Sequence, residues 1–359
     1  MDRRTSLLDF PERLVSWPKL LPYVLLLSVT LALYSPSLYY GFVWDDFVYI
    51  PLNYHIQGFT SLNLKAVWTG TYLGHYAPIH HTFLAFLYHF AGSEPFGYHL
   101  GQLVLQIVCV LLLYFLLERI ESSRIALLAS LLFAVHPTNV ETVAWVSETK
   151  STLAFLFFLL SFWAFLRQRE RGGWGYGVWC AVFQILSLLA KINTVVAPAI
   201  FLLWDYRQRR SFDKKTIASL ACFFLISIIM TGVHLVSFME SQGIDERAYF
   251  GGPGVHVMNL PLFIFFYIQM LIFPHPLSAW YMFPVAVHFS GTLAVEWAAL
   301  LVLAWFLLRS NRQAQFWGLW FLVFLAPVLQ IIPFGIWVAD RYLYIPAIGL
   351  FVLGSGFFF

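Results

Sequence analysis

The chain has 359 residues, of which 60% are apolar, 19% aromatic and 11% charged. A soluble domain carries about 25% charged residues, so a soluble enzyme, a nucleic-acid binder and a disordered chain are excluded together. The formal charge of +3 is too small for a polyanion partner, and the apolar runs are continuous rather than alternating, which excludes a transmembrane β-barrel. An all-α polytopic membrane protein remains, with one membrane domain filling residues 1–359.

The first predicted helix covers about 20–39, behind a polar lead holding Arg3, Arg4, Arg13 and Lys19. That lead is too long for an ordinary signal peptide, so an uncleaved helix is expected. Basic loops stay on the cytoplasmic side, which places the N-terminus there. The loop 40–96 then lies outside. It opens with the adjacent pair Asp45 and Asp46, and later brings His75, His80 and His81 around Pro78. One carboxylate of the pair could act as a general base on a hydroxyl, or both could hold a divalent metal. The histidines match no standard zinc spacing.

Helix 97–118 returns inward to Arg119 and Arg124. Helix 123–136 is only roughly 21 Å long at 1.5 Å per residue, against a hydrocarbon core of about 30 Å. Its outer end, at His136, then sits below the membrane surface. Residues 137–149 form an outer segment with Glu141 and Glu148, and Lys150 opens helix 150–166. Arg167, Arg169 and Arg171 mark the next inner turn. Helices 174–190 and 192–206 meet at Lys191, which has no acidic residue close in sequence. A lone lysine at that depth is a candidate anion ligand, with snorkelling to the interface as the plain alternative.

A basic inner stretch from Arg207 to Lys215 precedes helix 215–238. The loop 239–257 reads as a flexible connector. Helix 258–273 runs into Phe273-Pro274-His275-Pro276, and a full crossing here would put Arg309 and Arg312 outside. The segment 239–290 is therefore expected to stay outer or to re-enter. Helices 292–308, 315–333 and 342–359 complete about 10–11 helices, with Asp340 and Arg341 just before the last. An Arg there could clamp a phosphate bidentately.

On this topology 16 of the 21 Lys and Arg are cytoplasmic, and the rest are Lys65, Lys150, Lys191, Arg247 and Arg341. All 11 histidines fall on the outer side. The inner half of the helices looks bare apart from loop charges. The cysteines at 109, 180 and 222 lie inside apolar runs and read as packed thiols.

These stations, taken in order, resemble a known family. They are Phe42-Val43-Trp44-Asp45-Asp46, Tyr98-His99-Leu100, the stretch from Ala134 through His136-Pro137 to Trp145-Val146-Ser147-Glu148, Leu189-Ala190-Lys191, Trp204-Asp205-Tyr206, and Ala339-Asp340-Arg341-Tyr342-Leu343-Tyr344-Ile345-Pro346. From Phe42 to about Leu350 the chain is similar to the membrane part of the transmembrane-and-TPR-repeat O-mannosyltransferases and their bacterial relatives, within the GT-C glycosyltransferase class. Ala77 stands where that family often has Arg or His, and Ser151 where Asn or Asp is common. The family continues into further helices and TPR repeats that these residues do not contain, so a fragment or a short homologue is expected.

The resemblance implies a GT-C-like bundle with a large first outer loop and a polyprenyl-phosphate-linked sugar as donor. It implies an acidic residue of the first loop as base, hence Asp45 with Asp46 beside it. It implies donor-phosphate binding by Lys191 and Arg341 first and Lys150 second. His80, His81, His136, Glu148 and Asp340 are the expected pocket residues. The expected activity is inverting transfer of mannose or another hexose to a protein or glycan hydroxyl. It faces the periplasm, the extracellular side or the ER lumen and uses no resident cofactor, with a divalent metal at Asp45 and Asp46 as the less favoured option. Two other readings stay open: a transporter or flippase of polyprenyl-linked sugars, which would need polar groups in the inner half too, and a catalytically inactive membrane scaffold.

Overall fold

The computed structural model describes residues 17–210, 212–242, 252–330 and 336–358. These residues are mostly helical, and their only extended pairing is an isolated bridge between Tyr72 and His75. Among the described residues, five helices are long and apolar enough to cross a membrane: Lys19–Tyr39, Pro95–Ile120, Val146–Arg171, Lys214–Met239 and Gly291–Arg309. Ser123–Val135 and Pro137–Ala144 are long and apolar enough only together, and they meet at a 54° bend, as in a broken span or a re-entrant loop. This is a multi-pass membrane protein. Local chemistry sets the ends of its helices. Ser122, Ser290 and Asn311 cap the helices that follow them, each accepting the backbone N–H of the residue three positions on. Pro137 lacks the N–H that would carry the Ser123–Val135 helix onward.

Burial separates the centre from the rim. In Val146–Arg171, 78% of the apolar window is buried, against 22% in Lys19–Tyr39 and Lys214–Met239 and 6% in Gly291–Arg309. The last of these exposes Leu301, Trp305, Phe306 and Leu308, an apolar surface suited to lipid. The central helix Thr149–Arg171 packs along Trp174–Ala190. Two serines tie the pair through backbone carbonyls: Ser161 Oγ donates to Cys180 O at 2.8 Å and Ser187 Oγ to Ala154 O at 2.6 Å. Small hydroxyl residues suit such contacts, since lipid gives helices no hydrophobic reason to associate. Phe158, Phe162, Trp320 and Phe324 fill the centre, with Phe158 and Phe162 edge-on to Trp320 and Phe158 edge-on to Phe324.

The segment after Leu260–Ile272 doubles back. Asn259 Nδ2 donates to Ala286 O at 2.8 Å, and Ala286 N donates to Asn259 Oδ1 at 3.0 Å. Trp297, near the start of the next helix, donates to Met258 O at 3.1 Å. The two ends of this excursion therefore lie side by side.

Two sequence expectations need correction. The half expected to be inner is not bare. Arg169 and Asp205 pair at 2.9 Å, and Arg207 and Glu121 at 2.7 Å, with both carboxylates almost fully buried. The Thr149–Arg171 helix runs a turn beyond the predicted end at 166, so residues assigned to a loop sit on packed helix. Cys222, expected to be packed, is exposed, whereas Cys109 and Cys180 are buried. The connector expected at 239–257, with Asp245, Glu246 and Arg247, lies largely outside the described residues.

Candidate functional site

Three breaks in the helical pattern converge. One is the turn Val146–Glu148 ahead of the central helix. The second is Lys191, extended between Trp174–Ala190 and the turn Ile192–Val196. The third is the turn Asp340–Leu343 ahead of Ala347–Phe357. Each presents a charge to the others. Glu148 is 2% exposed and sits at the centre. Its carboxylate lies 2.7 Å from Lys191 Nζ, 3.8 Å from Lys150 Nζ and 3.6 Å from Arg341 Nε. Ser151 Oγ also donates to Glu148, while Lys191 Nζ donates to Ser151 Oγ at 2.8 Å.

Arg341 is held twice more. Its backbone N–H donates to Glu141 Oε2 at 2.8 Å, and its Nη1 donates to Glu141 Oε1. Its guanidinium lies 5.5 Å from the centre of the Trp145 ring. Lys150 lies 5.1 Å from the centre of the Tyr49 ring. Around Glu148, then, three cations meet two carboxylates, which leaves room for one further anion. Arg341 and Lys191 also line a narrow cleft of about 20 Å³, with Ser151, Asn193 and Tyr342 on its polar side and Ala154, Phe324 and Ile345 on its apolar side. Charged and apolar side chains thus face each other across it.

The adjacent aspartates of the first loop separate. Asp46 is fully buried and bonded: it accepts Val43 N at 3.0 Å, Ser147 N at 2.7 Å and Ser147 Oγ. Burial pushes its carboxyl above the ordinary range, against the pull of those donors. Its contacts pin the first loop to the turn carrying Glu148. Asp45 is half-buried, and among the described residues nothing donates to its carboxylate. Of the two, Asp45 has the free lone pairs that a base needs.

His80 and His81 are buried against Tyr49, each ring about 5.4 Å from it. Burial pushes both imidazoles down, His81 to about 4, so they form a neutral wall behind Lys150. His136 holds the break in its own span: its ring meets Thr138 Oγ1 at 2.8 Å and Leu271 O at 3.2 Å. Asp340 accepts Tyr281 OH at 2.7 Å, and burial pushes its carboxyl up to about 6. Among the described residues no three His, Cys, Asp or Glu side chains are grouped to hold a metal ion.

Glu141, Ser147, Ser151 and Tyr281 were not singled out as site residues from the sequence. Glu141 carried a signal, an acid inside a membrane-depth stretch, but its partner is 200 residues away.

Comparison with known proteins bears on the same region. Residues 75–234 match the family model described as dolichyl-phosphate-mannose-protein mannosyltransferase. Protein O-mannosyl-transferase Tmtc1 of Drosophila melanogaster is 28% identical over 211 residues, 55% of this chain and 25% of that protein. Protein O-mannosyl-transferase TMTC3 of Mus musculus is 27% identical over 241 residues, 60% of this chain and 26% of that protein. The corresponding protein of Homo sapiens is 30% identical over 157 residues, 40% of this chain and 17% of that protein. The chain thus spans about a quarter or less of the length of these curated relatives. Together the family model and these relatives support membership of the O-mannosyltransferase family.

Proposed function

We propose that this chain is the membrane-embedded part of a glycosyltransferase. It moves mannose, or another hexose, from a polyprenyl-phosphate donor to a protein or glycan hydroxyl at the outer face of the membrane. The observation that carries the reading is the meeting of Lys191 and Arg341 at a half-apolar cleft. In the proposed step, Asp45 takes the proton of the acceptor hydroxyl. The hydroxyl oxygen forms a bond to the anomeric carbon as the bond from that carbon to the phosphate oxygen breaks. The electron pair leaves with the lipid phosphate, and the configuration inverts. Negative charge grows on that phosphate, where preorganised cations help most. Lys191 and Arg341 supply them, and Lys150 supports from behind Glu148. Matches to proteins named as O-mannosyl-transferases support the sugar-transfer reading.

The test is transfer by purified protein from labelled polyprenyl-phosphate mannose and, separately, glucose. We expect product from one donor and a loss of roughly 100-fold in Arg341→Gln, in line with deletion of one charge-stabilising group. Absence of transfer from every lipid-linked sugar, with movement of the lipid across vesicles instead, would replace the enzyme by a transporter.

A further inference from the structure

A second cavity lies at the other end of the central helix. From Lys150 to Arg167 the helix rises roughly 25 Å at 1.5 Å per residue, close to the thickness of a hydrocarbon core. The cavity there measures about 290 Å³ and is lined by Arg119, Trp163, Arg167, Glu170, Trp204 and Arg210 among others. It is formed where the ends of Pro95–Ile120, Thr149–Arg171 and Ala197–Arg207 come together.

Its charges do not cancel. Asp205 is already taken by Arg169 at 2.9 Å and lies 4.0 Å from Arg210. Glu170 faces Arg167 at 3.5 Å. Arg119 rests over the Phe115 ring at 4.0 Å and has no carboxylate within ion-pair distance among the described residues. Three arginines thus border the cavity with one glutamate. Arg167 is 2% exposed, deeper than a charge needs to be if its only purpose is to mark the inner side of the membrane.

We infer that this cavity binds the phosphate of an anionic glycerophospholipid, from the leaflet opposite the Glu148 cluster. Basic pockets between membrane helices recognise such headgroups, and the forked guanidinium matches phosphate oxygens two at a time. Arg119 is the ligand without a carboxylate partner, and Arg210, which donates to Arg169 O at 2.7 Å and reaches Asp205 only at 4.0 Å, is the second.

The experiment uses the full chain in nanodiscs of phosphatidylcholine, with and without phosphatidylglycerol. Thermal unfolding and retained lipid, read by native mass spectrometry, are followed in wild type, Arg119→Gln and Arg210→Gln. Phosphatidylglycerol should raise the unfolding temperature of wild type and be retained. Each variant should lose roughly fivefold in retention, the size expected per arginine near an anionic surface. Both variants should match wild type in pure phosphatidylcholine, which separates lost binding from lost folding. Equal stability of wild type in the two lipids, or an unchanged phosphatidylglycerol effect in both variants, would overturn the site. Equal protection by inorganic phosphate in phosphatidylcholine would overturn the lipid as its source.

Discussion

A carboxylate buried among Lys150, Lys191 and Arg341 is tolerated because the three cations surround it, and its removal would leave them facing each other. Breaking a buried ion pair from one side costs about 3–5 kcal/mol. Glu148→Gln should therefore lower the thermal midpoint of the purified protein by many degrees, and an unchanged midpoint would contradict the central place given to Glu148. Asp340 makes a pH-dependent prediction. Its carboxyl is raised from the ordinary 3.8 to about 6 by burial. Between those values the folded state holds a proton that the unfolded state has lost, so stability falls as pH rises through that window. Asp340→Asn should remove this fall, so the wild-type advantage over the variant shrinks from pH 4 to pH 6; a difference independent of pH would refute it. At this scale the sequence was informative wherever a charge interrupted an apolar run, as at Lys191 and Arg341. It was silent on pairing, because Glu141 and Arg341 meet only through the fold. Nor could it separate Asp45 from Asp46, since the Ser147 that occupies Asp46 is 101 residues away.

Elements approach closely where side chains are absent. Gly349 lets Ala347–Phe357 rest on Arg312–Leu325: a Cβ there would lie 2.3 Å from the Trp317 carbonyl oxygen and 3.0 Å from Phe321 N. Those are backbone atoms and cannot swing aside. Gly349→Ala should push apart two helices that carry the Asp340–Arg341 turn and the aromatic core, lowering the yield of folded protein and the thermal midpoint. Wild-type stability in Gly349→Ala would show that this packing is looser than described. Outside the first loop, helix positions were largely visible in the sequence, but the loop itself, read as irregular, holds helices Ser61–Thr69 and Pro78–Ala91. The last turn of the central helix was not visible either. Arg167 and Arg169 read as loop charges, but they sit on the helix, their guanidinium groups over the Trp163 and Phe165 rings and within reach of Glu170 and Asp205.

For the whole molecule, membrane class followed from composition alone, while the path of 258–290 needed the structure. Hydropathy cannot distinguish a short crossing from an excursion, but the Asn259–Ala286 pair shows that the chain returns to its starting level. Trp280 is 60% exposed on that excursion. In a Cys222→Ser background, Trp280→Cys should react with an impermeant thiol reagent added outside sealed vesicles of native orientation. Reaction only from the inside would invert the proposed topology.

The central claim is that a free carboxylate on the first loop works against a lipid phosphate held by Lys191 and Arg341. Single-turnover transfer from the preferred polyprenyl-phosphate sugar, compared between wild type and Asp45→Asn, tests it most directly. We expect Asp45→Asn to keep the wild-type thermal midpoint and to lose rate by roughly 100-fold or more, the scale of a lost general base. Equal rates in the two proteins would contradict it.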